Sequence, residues 1–230
     1  MARHPVRAHD RIEIQDEHPL AGAPALDSLW MDPAVLVLDK PAGLEVQGPR
    51  GVEALLRTQF SDSGIAAVHR LDRDTTGCLL FARTDEIRHR LIEQFRNRTV
   101  RKVYRAVVGG RLDTATRTIR RSIEGKSAIT KIRVIQATPD ASYLSVQIET
   151  GRTHQIRKHL ADIGHAVLGD PHYATGRQPN GRLREVPRPL LHAQAIHFQH
   201  PVSGNDIRVR APLPEDFQQW LHTLRLGNKD

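Results

Sequence analysis

The feature that most constrains the fold is a repeated pairing of β-rich runs across short turns. Residues 130–137 and 143–149 flank Thr138-Pro139-Asp140, and residues 195–199 and 207–211 flank Ser203-Gly204-Asn205. Runs with alternating β-branched and polar residues, joined by turn formers, read as antiparallel hairpins. Further strands are expected at 35–38, stopped by Lys40-Pro41-Ala42-Gly43, at 79–83, and at 103–108, ended by Gly109-Gly110. Helical signals are fewer. A short helix fits 51–60. Thr84 is expected to cap a helix with Asp85 and Glu86 in its first turn and an apolar stripe of Ile87, Leu91 and Phe95. Thr153 is expected to cap another, with Ile156, Leu160 and Ile163 facing the core and Gly164 ending it. Pro214 opens a last helix containing Trp220 and Leu224. Strands in antiparallel pairs with a few interspersed helices define an α+β fold: one domain on a mixed, mostly antiparallel bent sheet flanked by helices and loops. Residues 31–225 form that domain. Residues 1–30, polar and broken by Pro5, Pro19 and Pro24, read as an N-terminal arm.

The single cysteine, Cys78, excludes an intrachain disulfide and reads as a small core residue. No stretch approaches a membrane span and no secretory leader opens the chain, so a cytoplasmic location is expected. The net charge of +8 is concentrated: residues 83–121 hold eleven Arg and one Lys against four acids, enough to account for all of it. A clustered positive field implies a polyanionic partner, most simply nucleic acid. The basic residues are 28 Arg to 6 Lys, and guanidinium groups bind phosphate and stack on bases, as RNA recognition requires.

The chemistry centres on His69-Arg70-Leu71-Asp72-Arg73-Asp74-Thr75-Thr76-Gly77. Asp72 lies between two arginines, in turn residues that lead into the strand of Cys78-Leu79-Leu80-Phe81. Such a carboxylate is rigidly placed and kept ionised by its neighbours, which suits a nucleophile or a base. Downstream, Gly151-Arg152-Thr153-His154-Gln155-Ile156-Arg157 opens a predicted helix, with Arg157 about 100° around from Ile156 at the edge of the buried face. None of the thirteen histidines has metalloenzyme helix spacing, and one cysteine cannot build a Cys-rich zinc site. His69, His154 and His192 read as hydrogen-bonded structural residues. Lys40-Pro41 and Gly169-Asp170-Pro171 read as turns shaping the cleft.

Together these segments resemble the RluA-type pseudouridine synthase family. The matching segments, in order, are Asp39-Lys40-Pro41-Ala42-Gly43-Leu44, the Asp72 run, Arg101-Lys102-Val103-Tyr104-Arg105-Ala106, the Arg157 segment with Leu168-Gly169-Asp170-Pro171 and Tyr173, and Leu190-Leu191-His192-Ala193. The resemblance implies isomerisation of uridine to pseudouridine in structured ribosomal or transfer RNA, in a basic cleft across the sheet. The glycosidic bond breaks, the base turns, and a C1′–C5 bond forms. It implies that Asp72 is the catalytic aspartate, either attacking the sugar or removing a proton from it. Arg157 pairs with Asp72, Tyr104 stacks on the uracil, and Leu191 walls the base. Arg70 fills the space left by the flipped nucleotide. Arg98, Arg101, Lys102 and Arg105, beside Tyr104, are expected on the RNA backbone. No metal or cofactor is implied, nor any obligate protein partner, and a monomer is expected. Thr76 stands where the family usually has Ser, the stretch from Gly110 to Thr130 is short, and the first 30 residues do not suggest an S4 RNA-binding domain. A non-catalytic RNA-binding or ribosome-assembly factor on the same fold, or an RNA glycosidase using Asp72, are the alternatives.

Overall fold

The computed structural model describes residues 25–174 and 181–227. The bulk of the expected N-terminal arm, residues 1–24, lies outside them. The last part of that stretch is already sheet: β1 (Ser28–Met31) pairs antiparallel with β2 (Val35–Lys40).

Ten strands form one sheet in the order β1-β2-β4-β9-β5-β8-β7-β6, with β3 (Ala66–Ala67) paired to β4 (Thr76–Ala82) and β10 (Asp206–Arg210) to β9 (Leu191–Gln199). The remaining strands are β5 (Arg101–Gly109), β6 (Thr116–Arg120), β7 (Ile129–Ala137) and β8 (Ala141–Ile148). Both expected hairpins form, β7 with β8 and β9 with β10. All pairings are antiparallel except β4 with β9, where Thr76 lies beside His192 and Gly77 beside Ala193. Gly77 has a positive φ of 105°, and a Cβ there would strike the Ala193 carbonyl oxygen. Only glycine lets these two strands meet.

Strand β4 is buried along its whole length because both faces are covered. Leu79 and Phe81 join a core with helix α1 (Val52–Gln59) and helix α3 (Gln155–Asp162). Cys78 and Leu80 join a second core with helix α2 (Asp85–Arg96). Thr84 caps α2 as expected, its Oγ1 accepting from the Ile87 amide, and Ile87 and Leu91 are buried. Helix α4 (Glu215–Thr223) covers a third core around Val107, Tyr143 and Phe217; Leu224 caps its C-terminus.

One helix start differs from expectation. Thr153 does not cap α3. His154 occupies the N-cap in the left-handed region (φ 54°, ψ 27°) without a side-chain cap bond. Gln155 does the local work instead: its Oε1 accepts from Thr150 Oγ1 and the Arg152 amide, while its Nε2 donates to the Ile129 carbonyl. His154 takes an uncommon conformation for a non-glycine residue, and its ring is held there by the Tyr173 hydroxyl, 2.9 Å from Nδ1.

Candidate active site

The catalytic-motif loop is held by a buried lysine and a half-buried arginine. Lys40, with no exposed surface, donates from Nζ to the carbonyls of Pro41 (2.8 Å), Arg73 (2.7 Å) and Thr75 (3.1 Å). Arg188 donates to the intervening Asp74 carbonyl (3.2 Å) and is itself gripped by both oxygens of Asp216 on α4 (2.6 and 2.7 Å). The loop and the Lys40–Gly43 turn also bond reciprocally, Gly43 N–H to the Arg73 carbonyl and Arg73 Nε to the Gly43 carbonyl. Burial pushes the Lys40 ammonium down to about 8, with the carboxylates of Asp74 and Asp72 pulling the other way. Lys40 thus does more than end a strand. Replacing it with Met leaves three carbonyls without their donor, at a cost of about 2–3 kcal/mol in stability. Because those carbonyls carry the Asp72 loop, kcat is expected to fall more than KM rises; urea denaturation and steady-state kinetics check the two halves.

Asp72 emerges from this loop at the floor of a cleft of about 480 Å³. Its side chain is one-fifth exposed. Oδ2 accepts from Arg157 Nη1 at 3.2 Å. Oδ1 lies 3.8 Å from His154 Nε2, too long for a hydrogen bond, so this oxygen is open to the cleft; burial lowers the His154 pKa and favours the neutral ring there. Arg157 is buried, not merely edge-placed, and its principal partner is Asp170: Nε and Nη2 donate to the two Asp170 oxygens at 2.7 and 2.8 Å. This is a bidentate fork, and Asp72 takes only the remaining corner. Asp170 Oδ1 further accepts from the amides of His172 and Tyr173. Burial alone would raise the Asp170 pKa, but the Arg157 fork and the two amides hold it below the ordinary carboxylate value. Burial likewise opposes the Arg157 charge, and the Asp170 and Asp72 carboxylates more than offset it. Gly169 places Asp170: its φ is 77°, and a Cβ would collide with the Arg188 carbonyl.

The cleft walls carry the base-contacting candidates. Tyr104, buried on β5, and Leu191, buried at the start of β9, line it with Leu71 and Ile156. Burial, reinforced by the Asp72 charge, raises the Tyr104 pKa, so its phenol keeps its proton. Tyr173 packs its ring against Arg157, 5.1 Å from centroid to Cζ, and its hydroxyl bonds His154 Nδ1 at 2.9 Å. Arg70 is exposed at the rim, with Arg98 and Lys102 beyond it.

Arg101 and Arg105 do not join them. Successive residues of a strand point to opposite faces, so with Lys102 and Tyr104 in the cleft, Arg101 and Arg105 project from the reverse of the sheet. The structure therefore divides the expected backbone-binding set: Arg98 and Lys102 line the cleft, and Arg101 and Arg105 do not. His69 and His192 are structural, as expected. His69 Nε2 accepts from the Leu80 amide and its ring stacks on Phe95; His192 Nδ1 bonds Thr76 Oγ1.

Residues 34–162 match the family model described as RNA pseudouridylate synthase. The chain belongs to this family. A ribosomal large subunit pseudouridine synthase D of Xanthomonas campestris is 40% identical over 233 residues, covering 87% of this chain and 70% of that protein. The protein of the same name from Pseudomonas aeruginosa is 35% identical over 87% of this chain and 72% of its own length. In fold, the chain is similar to human RNA pseudouridylate synthase domain containing 4, with a TM-score of 0.74 at 24% identity over 88% of this chain. The pseudouridine synthase assignment makes this chain an isomerase of uridine in RNA, on an α+β domain as expected. Among the described residues, no helix is long and apolar enough to cross a membrane. Sequence reading overlooked Asp170, Lys40 and Arg188 as site residues; the first two were read as turns.

Proposed function

We propose that this chain converts a uridine of large-subunit ribosomal RNA to pseudouridine, with Asp72 as the reacting carboxylate. The observation that carries this reading is the asymmetric setting of Asp72: one oxygen is fixed by Arg157, the other is open to a cleft sized for a nucleoside. The RNA partner is supported by relatives named for large-subunit modification. In the reaction, the target uridine leaves the RNA stack and its base enters between Tyr104 and Leu191. Arg70, a planar cation at the rim, takes the vacated place and offsets part of the flipping cost of a few kcal/mol. Asp72 either bonds to the sugar or removes a proton from it; the C1′–N1 bond breaks, the uracil turns, and C1′–C5 forms. The C5 proton is lost and N1 gains one, so the product has the mass of the substrate. The protein works as a monomer in the cytoplasm, with no obligate protein partner.

The test is to incubate the protein with total ribosomal and transfer RNA from a strain lacking its gene and map pseudouridine. A new pseudouridine at a discrete large-subunit position is expected. Modification confined to transfer RNA, or release of free uracil, contradicts the proposal.

RNA binding in the cleft should also depend on pH through Lys102. Burial against Phe95, whose ring centroid is 5.2 Å from Nζ, brings the Lys102 pKa down to about 8. Below that value the ammonium is charged and attracts phosphate; above it the charge is lost. Affinity for RNA is expected to fall by about threefold between pH 7 and pH 9, the size of one exposed ion contact. Lys102→Arg, which stays charged, should flatten that step in a binding titration.

A further inference from the structure

The reverse of the sheet, away from the cleft, carries a second basic surface. Backbone register places its cations in adjoining rows. Arg208 lies beside His197, and His197 beside Arg101. Arg210 lies beside Ala195, then Val103, Gln147, Lys131 and Thr118. Arg105 lies beside Ser145, then Arg133 and Thr116. Six cations therefore share one face over β10, β9, β5, β8 and β7. At the usual strand spacing these five strands span roughly 19 Å. Arg101, Arg133, Arg208 and Arg210 are exposed, and no ion-pair partner holds them among the described residues. The acids nearby are already engaged: Glu149 pairs with Lys131 at 2.7 Å, and Asp206 lies 3.4 Å from His197. At one end, a groove of about 380 Å³ is lined by Thr116, Thr118, Lys131, Arg133 and Ser145 among others.

We infer that this reverse face binds the phosphate backbone of a double-helical arm of the substrate RNA, separate from the arm that delivers the uridine to the cleft. The inference rests on the RNA-modifying function proposed above. Charge complementarity selects the partner: unpaired arginines in rows, with Thr and Ser hydroxyls between them, are the donors that hold phosphate. The face lacks what other partners need. A stable protein interface requires an apolar, aromatic-rich centre, and single-stranded RNA requires exposed aromatic rings for stacking. The large hydrophobic side chains exposed among the described residues are Met31, Ile135 and Val202, none aromatic. Two basic faces on opposite sides of one sheet would let the enzyme read the separation of two RNA helices, supplying a target preference that the cleft alone cannot.

The triple variant Arg133→Glu, Arg208→Glu, Arg210→Glu tests this, since none of these residues reaches the cleft. The probe is a plain 20-base-pair RNA duplex, with binding measured over a salt series. Wild-type protein should bind it with a steep salt dependence. The variant should bind on the order of tenfold more weakly at 0.15 M salt, with the slope of log K against log salt lower by about 2–3. Its pseudouridine yield on a short hairpin carrying the mapped uridine should equal wild type, while its yield on intact ribosomal RNA should fall. The corresponding Gln variant serves if charge reversal prevents folding. Duplex affinity and slope unchanged in a folded variant would overturn the inference, as would equal losses on hairpin and intact RNA. Failure of the wild-type protein to form pseudouridine anywhere would refute the function instead, and leaves the duplex measurement readable.

Discussion

Asp72→Asn is expected to abolish pseudouridine formation, lowering kcat on the order of 10⁴-fold or more, the scale on which removal of a reacting group is felt. RNA affinity should stay within about threefold. The substitution is nearly isosteric, and the side-chain carbonyl of Asn can still accept from Arg157 Nη1. What disappears is the anionic oxygen facing the cleft. The fold should tolerate the change because the principal counterion of Arg157 is Asp170, held through two hydrogen bonds of 2.7 and 2.8 Å. No buried charge is stranded, and the thermal midpoint should hardly move. Single-turnover kinetics and a melting curve separate the two effects. Loss of activity together with loss of folding would show that Asp72 is part of the scaffold.

Asp170→Asn should show the opposite balance. Here the buried guanidinium of Arg157 loses its bidentate partner. Breaking a buried pair by removing one member costs about 3 kcal/mol or more, because the other charge stays desolvated. Arg157 then has one carboxylate left within reach, Asp72, and a fork that closes on both Asp72 oxygens engages the open one. Activity is expected to fall by about 10- to 100-fold in the folded protein, mostly in kcat, through altered placement and basicity of Asp72. The pH dependence follows from the depressed Asp170 pKa. Its ordinary value is 3.8, lower in the fold, so its contribution is fully present above 3.8 and is lost as pH falls through the folded value. The urea midpoint of the variant should lie well below wild type at neutral pH, and the gap should narrow only in acid. An unchanged midpoint at neutral pH would contradict this role.

Much of the fold could be read from local pattern. The hairpins at β7–β8 and β9–β10, the Thr84 cap and the α3 core stripe all depend on nearest neighbours, and each formed as read. The departures come from tertiary demands. His154 takes the left-handed region, and Tyr173 engages its ring there from nineteen residues away. Lys40 is hidden because a charged residue is ordinarily assigned to the surface, and only the assembled loop offers three carbonyls to it. Asp170 reaches Arg157 across thirteen residues, and although it stands in the matched Leu168-Gly169-Asp170-Pro171 segment, the turn-forming Gly169 and Pro171 beside it read as a bend and not as a counterion. The division of the arginines on β5 was legible but missed. Arg101 and Arg105 have odd numbers and Tyr104 an even one, and strand alternation alone separates them. Charge clustering in sequence overstated how much of the positive field faces the cleft.

Pseudouridine and free uracil quantified together decide whether Asp72 carries the isomerisation. Ribosomal RNA lacking the modification is incubated in parallel with wild-type protein and with folded Asp72→Asn. Wild type should form one mass-silent pseudouridine and no uracil, and the variant should form neither. Pseudouridine formed by the variant at a comparable rate would contradict a reacting role for Asp72.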